Sequence, residues 1–147
     1  MSRMKVGFYF GQIHEALDRM VNNELRPFGI TASQSRTLMN ICMSPGEEAT
    51  MKELEAAQKV AQPTMVGIVN RLEKNGFVET RTDEKDRRVK RVKLTEAGRE
   101  WCRDGQRHMD RMDEVLLTGL SEKEVKELVR LLEKVSANLT KEEEKRA

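Results

Sequence analysis

Cysteine is too scarce here for a fold built on disulfides. The two present, Cys42 and Cys102, are too far apart in sequence to suggest a disulfide framework or a zinc site, so a reducing cytoplasm is the expected setting. No apolar run approaches the ~18 residues of a membrane span, so no membrane partner is expected. The amino-terminal MSRMKVGFYFGQIHEALDRM lacks an uninterrupted apolar segment with a small-residue cleavage site and does not read as a signal peptide. Glycines stand singly at helix ends rather than in a phosphate-cradling loop. No nucleophile–base pairing is visible, and His14 and His108 have no Cys/His neighbours at metal-ligating spacing. These shortages leave no basis for an enzyme, a metal or a cofactor.

What the chain does have is charge and periodicity. At 147 residues it is long enough for one domain with a sizeable core, and 37% hydrophobic content rules out a disordered chain. The net charge of +2 says little, but its distribution says more. From Arg81 to Lys93 seven Lys/Arg face three Asp/Glu, whereas from Ser121 onward seven of each sign cancel. The excess positive charge therefore lies where a polyanion would be met.

Val6, Phe10, Ile13, Leu17 and Met20 recur at steps of four and three, predicting an amphipathic helix from about Val6 to Leu25, ended by Pro27 and Gly29. Thr31 opens a second helix with the capping box TASQ, running through Leu38, Ile41 and Cys42 to the stop at Pro45-Gly46. A second box, TMKE, opens a short helix from Thr50 to about Gln58. The next helix begins at Gln62-Pro63, buries Met65, Ile68, Val69 and Leu72, and ends at Gly76. Phe77–Arg81 and Val89–Leu94 read as two strands joined by the charged loop TDEKDRR. A long helix after Thr95 carries Trp101, Cys102, Met109, Met112 and Leu116 as far as Gly119. SEKE then caps a last helix with Val125, Leu128, Leu132, Val135 and Leu139 at three/four spacing, and the tail KEEEKRA is expected to fray.

A helix–turn–helix followed at once by a two-stranded hairpin is a winged helix, so the expected class is mainly α with a small β-hairpin wing. The second helix of such a pair fits the major groove of a duplex. On it Pro63, Val66, Gly67 and Asn70 lie opposite the apolar face, with Gln62 and Thr64 at its start and Arg71 available to touch phosphate or only solvent. Gln and Asn can each make two hydrogen bonds to an adenine edge. The hairpin tip, with Lys85, Arg87 and Arg88 and with Lys90 beside it, is thin enough to reach the neighbouring minor groove. Asp83 and Asp86 are placed to hold those cations by local hydrogen bonds. The competing reading is a winged helix that binds a protein and no specific DNA, since some do.

The stretches GITASQSRTL, TMKELE and QPTMVGIVNRLEKNGFVETRTDEKDRRVKRVKLTEAG carry a resemblance to the MarR (multiple-antibiotic-resistance regulator) family of bacterial transcription factors. The most specific part is GFVETRTDEKDRRVKRVKLTEAG, from Gly76 to Gly98. The resemblance implies a homodimer reading a near-palindromic operator, most often as a repressor. It also implies one domain over residues 1–147, with a winged part at about 31–95 and dimerisation helices at about 6–28 and 96–140. Arg88 then corresponds to the wing arginine that enters the minor groove, and Asp86 to the residue that orients it. Where the family often has Thr/Ser-Arg in the recognition helix, this chain has Val66-Gly67. Gln62, Thr64 and Asn70 are thus left to read bases, with Val66 against a thymine methyl. Gly67 either permits close approach or simply weakens the helix.

Family members commonly release DNA when a small, often aromatic or phenolic, effector enters a cleft beside the dimerisation helices. His14, Met39, Met43, Met109 and Met112 are candidates for such a pocket, or are plain core and surface. Others respond to oxidation of a cysteine near the start of the first helix, where this chain has Phe8, Tyr9 and Phe10. Cys42 reads as a packed small hydrophobe or as a sensor, and Cys102 as a packed residue or as a thiolate favoured by nearby Arg99 and Arg103.

Overall fold

A computed structural model describes residues 4–147, and in it the chain divides into two compact units, one reaching to Asp104 and one comprising Gly105–Ala147. Six helices and three strands follow in the order α1 (Met4–Leu25), α2 (Ala32–Met43), β1 (Glu48–Thr50), α3 (Met51–Gln58), α4 (Gln62–Lys74), β2 (Val78–Thr82), β3 (Lys90–Leu94), α5 (Glu96–Leu116) and α6 (Glu122–Arg146). Among the described residues no helix is long and apolar enough to cross a membrane.

Three of the helix starts are written into the chain by the same device. Thr31, Thr50 and Ser121 each accept a hydrogen bond from the backbone N–H three residues on, while Gln34, Glu53 and Glu124 accept from the cap residue's own N–H. Each box satisfies two amide donors that the first helical turn leaves without partners. Helix α4 starts differently: Ala61 offers no side-chain cap, and Pro63 stands in the first turn, where its missing N–H costs nothing.

The core of the first unit is made where α2, α3 and α4 meet the sheet. Leu38, Ile41, Leu54, Met65, Val69, Leu72, Val78 and Val92 are all buried there, with Cys102 from the first turns of α5 beside them. Every apolar position expected on the inner face of α4 is buried: Met65, Ile68, Val69 and Leu72. Burying one such side chain contributes ~2 kcal/mol, so this face alone fixes which side of α4 looks outward.

The sheet has one strand more than the hairpin expected from the sequence. β1 pairs antiparallel with β3, giving the order β1-β3-β2. At three residues without alternation, β1 is too short to leave a periodic signal; its pairing with β3, not its own pattern, makes it a strand. The hairpin strands run Val78–Thr82 and Lys90–Leu94, a one-residue shift from the expected bounds. The tail also differs, since α6 continues through the stretch expected to fray and ends at Arg146. A pair between Glu142 and Arg146, 3.4 Å apart and four positions along the helix, supports that last turn.

The joint between α4, β2 and α5 is tight. The Thr95 hydroxyl donates to the Gly76 carbonyl at 2.6 Å and accepts from the Gly98 N–H at 3.1 Å, capping α5 on the corner that ends α4. A Cβ at Gly98 would lie 2.2 Å from the Phe77 carbonyl oxygen, so glycine is required by the close approach of two backbones.

In the second unit, the later part of α5 and all of α6 bury little of their apolar surface. No residue of α6 is buried, and Val129, Leu131, Leu132 and Leu139 are exposed. In α1, Val6, Phe8, Tyr9, Phe10 and Ile13 are likewise exposed.

Candidate nucleic-acid interface

Helices α3 and α4 form the helix–turn–helix, and the bend between them turns on Lys59, which adopts the left-handed conformation with φ 52° and ψ 46°. A non-glycine residue there is uncommon and marks a turn imposed by the packing on either side. Gln58 reaches back across the pair to hydrogen-bond the buried Thr37 hydroxyl on α2.

With the inner face of α4 sunk in the core, its outer face is Gln62, Pro63, Thr64, Gly67, Asn70 and Arg71, all exposed, with Val66 half-buried among them. The structure thus collects every recognition-helix candidate on one surface. Arg71 and Lys74 sit in the last turn, where cations complement the helix dipole, so the first two turns of the outer face carry no charge. A Cβ at Gly67 would meet nothing within 4 Å, so the chain itself makes no close approach there.

The wing is organised by carboxylates. Asp86 accepts from the Arg88 backbone N–H at 3.0 Å and from its guanidinium at 3.1 and 3.3 Å, while the Arg88 side chain remains 91% exposed. The Arg88 guanidinium, then its backbone N–H, hold the Asp86 carboxyl below its ordinary range, with a smaller contribution from Lys52 on α3. Asp83 accepts from the Lys85 backbone N–H at 3.2 Å, which shapes the turn, and pairs with Arg91 at 3.5 Å rather than with a tip cation. Lys85, Arg87 and Lys90 are exposed around that tip.

Register explains a further part of the mixed charge. Arg81 on β2 stands directly opposite Arg91 on β3, an arrangement that like charges disfavour. Each has its own carboxylate: Arg81 donates to Glu48 of β1 at 2.8 and 3.0 Å, and Arg91 to Asp83. The Glu48 hydrogen bond, then its charge, raise the Arg81 pKa. Neither Arg91 nor Glu48 stood among the sequence candidates, because the pairing of β1 with β3 brings Glu48 to the wing and nothing local in the sequence announces it.

The five effector-pocket candidates fall in different places. His14 is 71% exposed beside Asp18, 3.3 Å away and one helical turn on; Met39 packs against the core; and Met43 is 80% exposed. Met109 and Met112 belong to the second unit. A cleft of about 500 Å³ in the first unit is lined instead by Asp18, Asn22, Arg26, Thr31, Ser33 and Arg36, and includes none of the five. A thiolate at Cys102 is also not supported. Arg99 pairs with Glu47 and Glu96, Arg103 pairs with Glu96, and burial, with Cys42 beside it, pushes the Cys102 thiol up to about 12.

A family model described as MarR family matches residues 28–89, the span from the end of α1 to the wing tip. Solved structures are similar over nearly the whole chain. The transcriptional regulator SlyA is 28% identical, with a TM-score of 0.83 over 93% of this chain and 95% of that one. A MarR protein from Peptoclostridium difficile is 22% identical, with a TM-score of 0.87 over 97% and 92% of the two chains. MepR of S. aureus, solved as a complex with DNA, is 24% identical, with a TM-score of 0.82 over 91% and 97%. The helix pair, the adjoining three-stranded wing sheet and these likenesses agree: the chain has a winged helix–turn–helix fold similar to that of MarR-family proteins, and its residues 28–89 match that family's model.

Proposed function

We propose that this protein is a DNA-binding transcriptional regulator, a repressor that binds a near-palindromic operator as a homodimer in the cytoplasm and releases it when a small effector binds. The observation that carries the DNA reading is the Arg88–Asp86 pair: a fully charged guanidinium held in a set direction while almost wholly exposed at a loop tip. A cation ordered in this way loses less freedom on binding than a loose lysine does, and the minor groove is where such a group gains most. Helix α4 supplies the matching element, with its outer face free of protein contacts at Gly67 and set with amide and hydroxyl groups at Gln62, Thr64 and Asn70.

The exposed apolar residues of α1 and α6 favour the homodimer, because monomers seldom leave so many Phe, Leu, Ile and Val side chains in water. In this reading residues 1–147 act as one functional domain, with the winged part at about 31–95 delivering the contacts. A two-fold would then set two copies of α4 about 34 Å apart, one turn of duplex. The effector is a small aromatic or phenolic molecule.

Titration of the purified protein against duplex DNA from upstream of its own gene, at several salt concentrations, tests the proposal. Specific binding should weaken steeply with salt as cations displace condensed counterions, and equilibrium sedimentation should give a dimer. Indifference to both sequence and salt would favour a protein-binding module instead, the reading suggested by the uncharged, partly apolar Val66-Gly67 face.

A further inference from the structure

Sixty positions separate Cys42 and Cys102 in sequence, yet the fold brings them together. Both thiols are free, and both belong to the core between α2 and α5 in the first unit. The Cys102 sulfur lies 3.8 Å from the Leu38 carbonyl oxygen, to which its thiol donates. Leu38 is four residues before Cys42, so its carbonyl and Cys42 share one turn of α2. Contact with Cys42 is also among the causes that hold the Cys102 thiol protonated, after burial itself. The two differ in access: Cys42 is half-buried, whereas Cys102 is 5% exposed.

We propose that Cys42 and Cys102 are a dithiol that a hydroperoxide oxidises to an intramolecular disulfide, tying α2 to α5. The inference goes beyond operator binding and does not rest on it. Cys42, the more accessible thiol, reacts first. Its sulfur attacks the distal oxygen, the O–O bond breaks, and Cys42 becomes a sulfenic acid while the hydroperoxide leaves as an alcohol, or as water where hydrogen peroxide is the oxidant. The Cys102 sulfur then attacks the Cys42 sulfur. The S–S bond forms, the S–OH bond breaks, and the hydroxyl departs as water with the Cys102 proton. Two thiols lose two electrons in all, and the peroxide gains them. Burial gives each cysteine its role: Cys102 is shielded from an oxidant arriving from solvent, and it lies in the core beside Cys42, where it can resolve the sulfenic acid.

The test uses the full-length reduced protein with stoichiometric hydrogen peroxide, followed by denaturation in iodoacetamide and mass spectrometry. The expected product has lost two hydrogens, takes up no alkyl group, and yields in a non-reducing digest the Cys42 peptide linked to the Cys102 peptide of the same chain. Dithiothreitol should restore both alkylation sites. Cys102→Ser should leave a Cys42 sulfenic acid that dimedone captures, and Cys42→Ser should leave Cys102 alkylatable after peroxide. Two free thiols in the treated wild type, a Cys42–Cys42 link between chains, or a Cys42 oxidised beyond sulfenic acid beside a free Cys102 would each overturn the proposal. Should either variant fail to fold, the wild-type peptide map alone decides.

Discussion

Helix α4 and the wing differ in the surface they present to the duplex proposed as the partner. The first turns of the outer face of α4 carry Gln62, Thr64, Val66, Gly67 and Asn70, without charge until Arg71 in the last turn, on an element fixed by four buried side chains on its other face. The wing carries Lys85, Arg87 and Arg88 at a loop tip that is held in shape by Asp83 and Asp86. A neutral face contributes little to binding in the absence of complementary base edges, so it can discriminate but cannot attract. A cationic loop attracts any phosphate backbone, and its carboxylates limit how it can be used. In the proposed DNA-binding reading, this division of labour would place salt dependence in the wing and base preference in the helix.

The largest effect is expected at the joint that carries both elements. Gly98→Ala forces a Cβ to within 2.2 Å of the Phe77 carbonyl oxygen, and should lower unfolding stability by roughly 3 kcal/mol in a denaturant titration. If α4 and the wing depend on this joint for their mutual placement, duplex binding falls with it.

Arg88→Ala separates the two regions more cleanly. Affinity for the preferred duplex should drop on the order of ten- to a hundredfold, with a shallower salt slope and an unchanged thermal midpoint. A loss of equal size on random and preferred DNA would assign Arg88 to phosphate; a larger loss on the preferred duplex would assign it to groove shape. No loss at all would remove the wing from the interface.

Asp86→Asn should cost less, about severalfold in affinity, because the guanidinium remains but is no longer aimed. The sign of the pH effect follows from Arg88 holding the Asp86 carboxyl below its ordinary 3.8. The pair is intact above that value and is lost only as pH falls through the lower, folded-state value. Arg88-dependent affinity should therefore stay flat across neutral and mildly acidic pH in the wild type, and a break between pH 5 and 7 would point to another group.

The smallest change should come from Gly67→Ala. With open space around its Cβ, it should stabilise α4 by about 0.5–1 kcal/mol and barely alter binding. Gly67→Arg sharpens the contrast further: a cation on the neutral face should steepen the salt dependence of duplex binding, moving part of the wing's role onto the helix.

Some of this was legible from neighbouring residues alone. The boxes TASQ, TMKE and SEKE mark real helix starts, because each closes within four residues. The burial of Met65, Ile68, Val69 and Leu72 follows from a period of 3.6 acting on one face. The Asp86–Arg88 contact spans two residues and was readable in the same way.

Three things were not. β1 has no pattern of its own and exists through its pairing with β3. The opposition of Arg81 and Arg91, and the recruitment of Glu48 to relieve it, depend on strand register. The meeting of Cys42 with Cys102 depends on where α5 returns to α2. Arg99 and Arg103 made a Cys102 thiolate plausible in sequence, and the fold gives them to Glu47 and Glu96 instead.

The amino-acid order alone determined the helices, their caps, the inward face of α4 and the cationic tip of the wing, since hydrogen bonds and burial periods of a few residues suffice for these. Tertiary structure decided which carboxylate serves which arginine and which thiol faces which. Among those contacts, Arg81 with Glu48 and Arg99 with Glu47 join residues 33 and 52 positions apart, and only the packing of the core sets their distance.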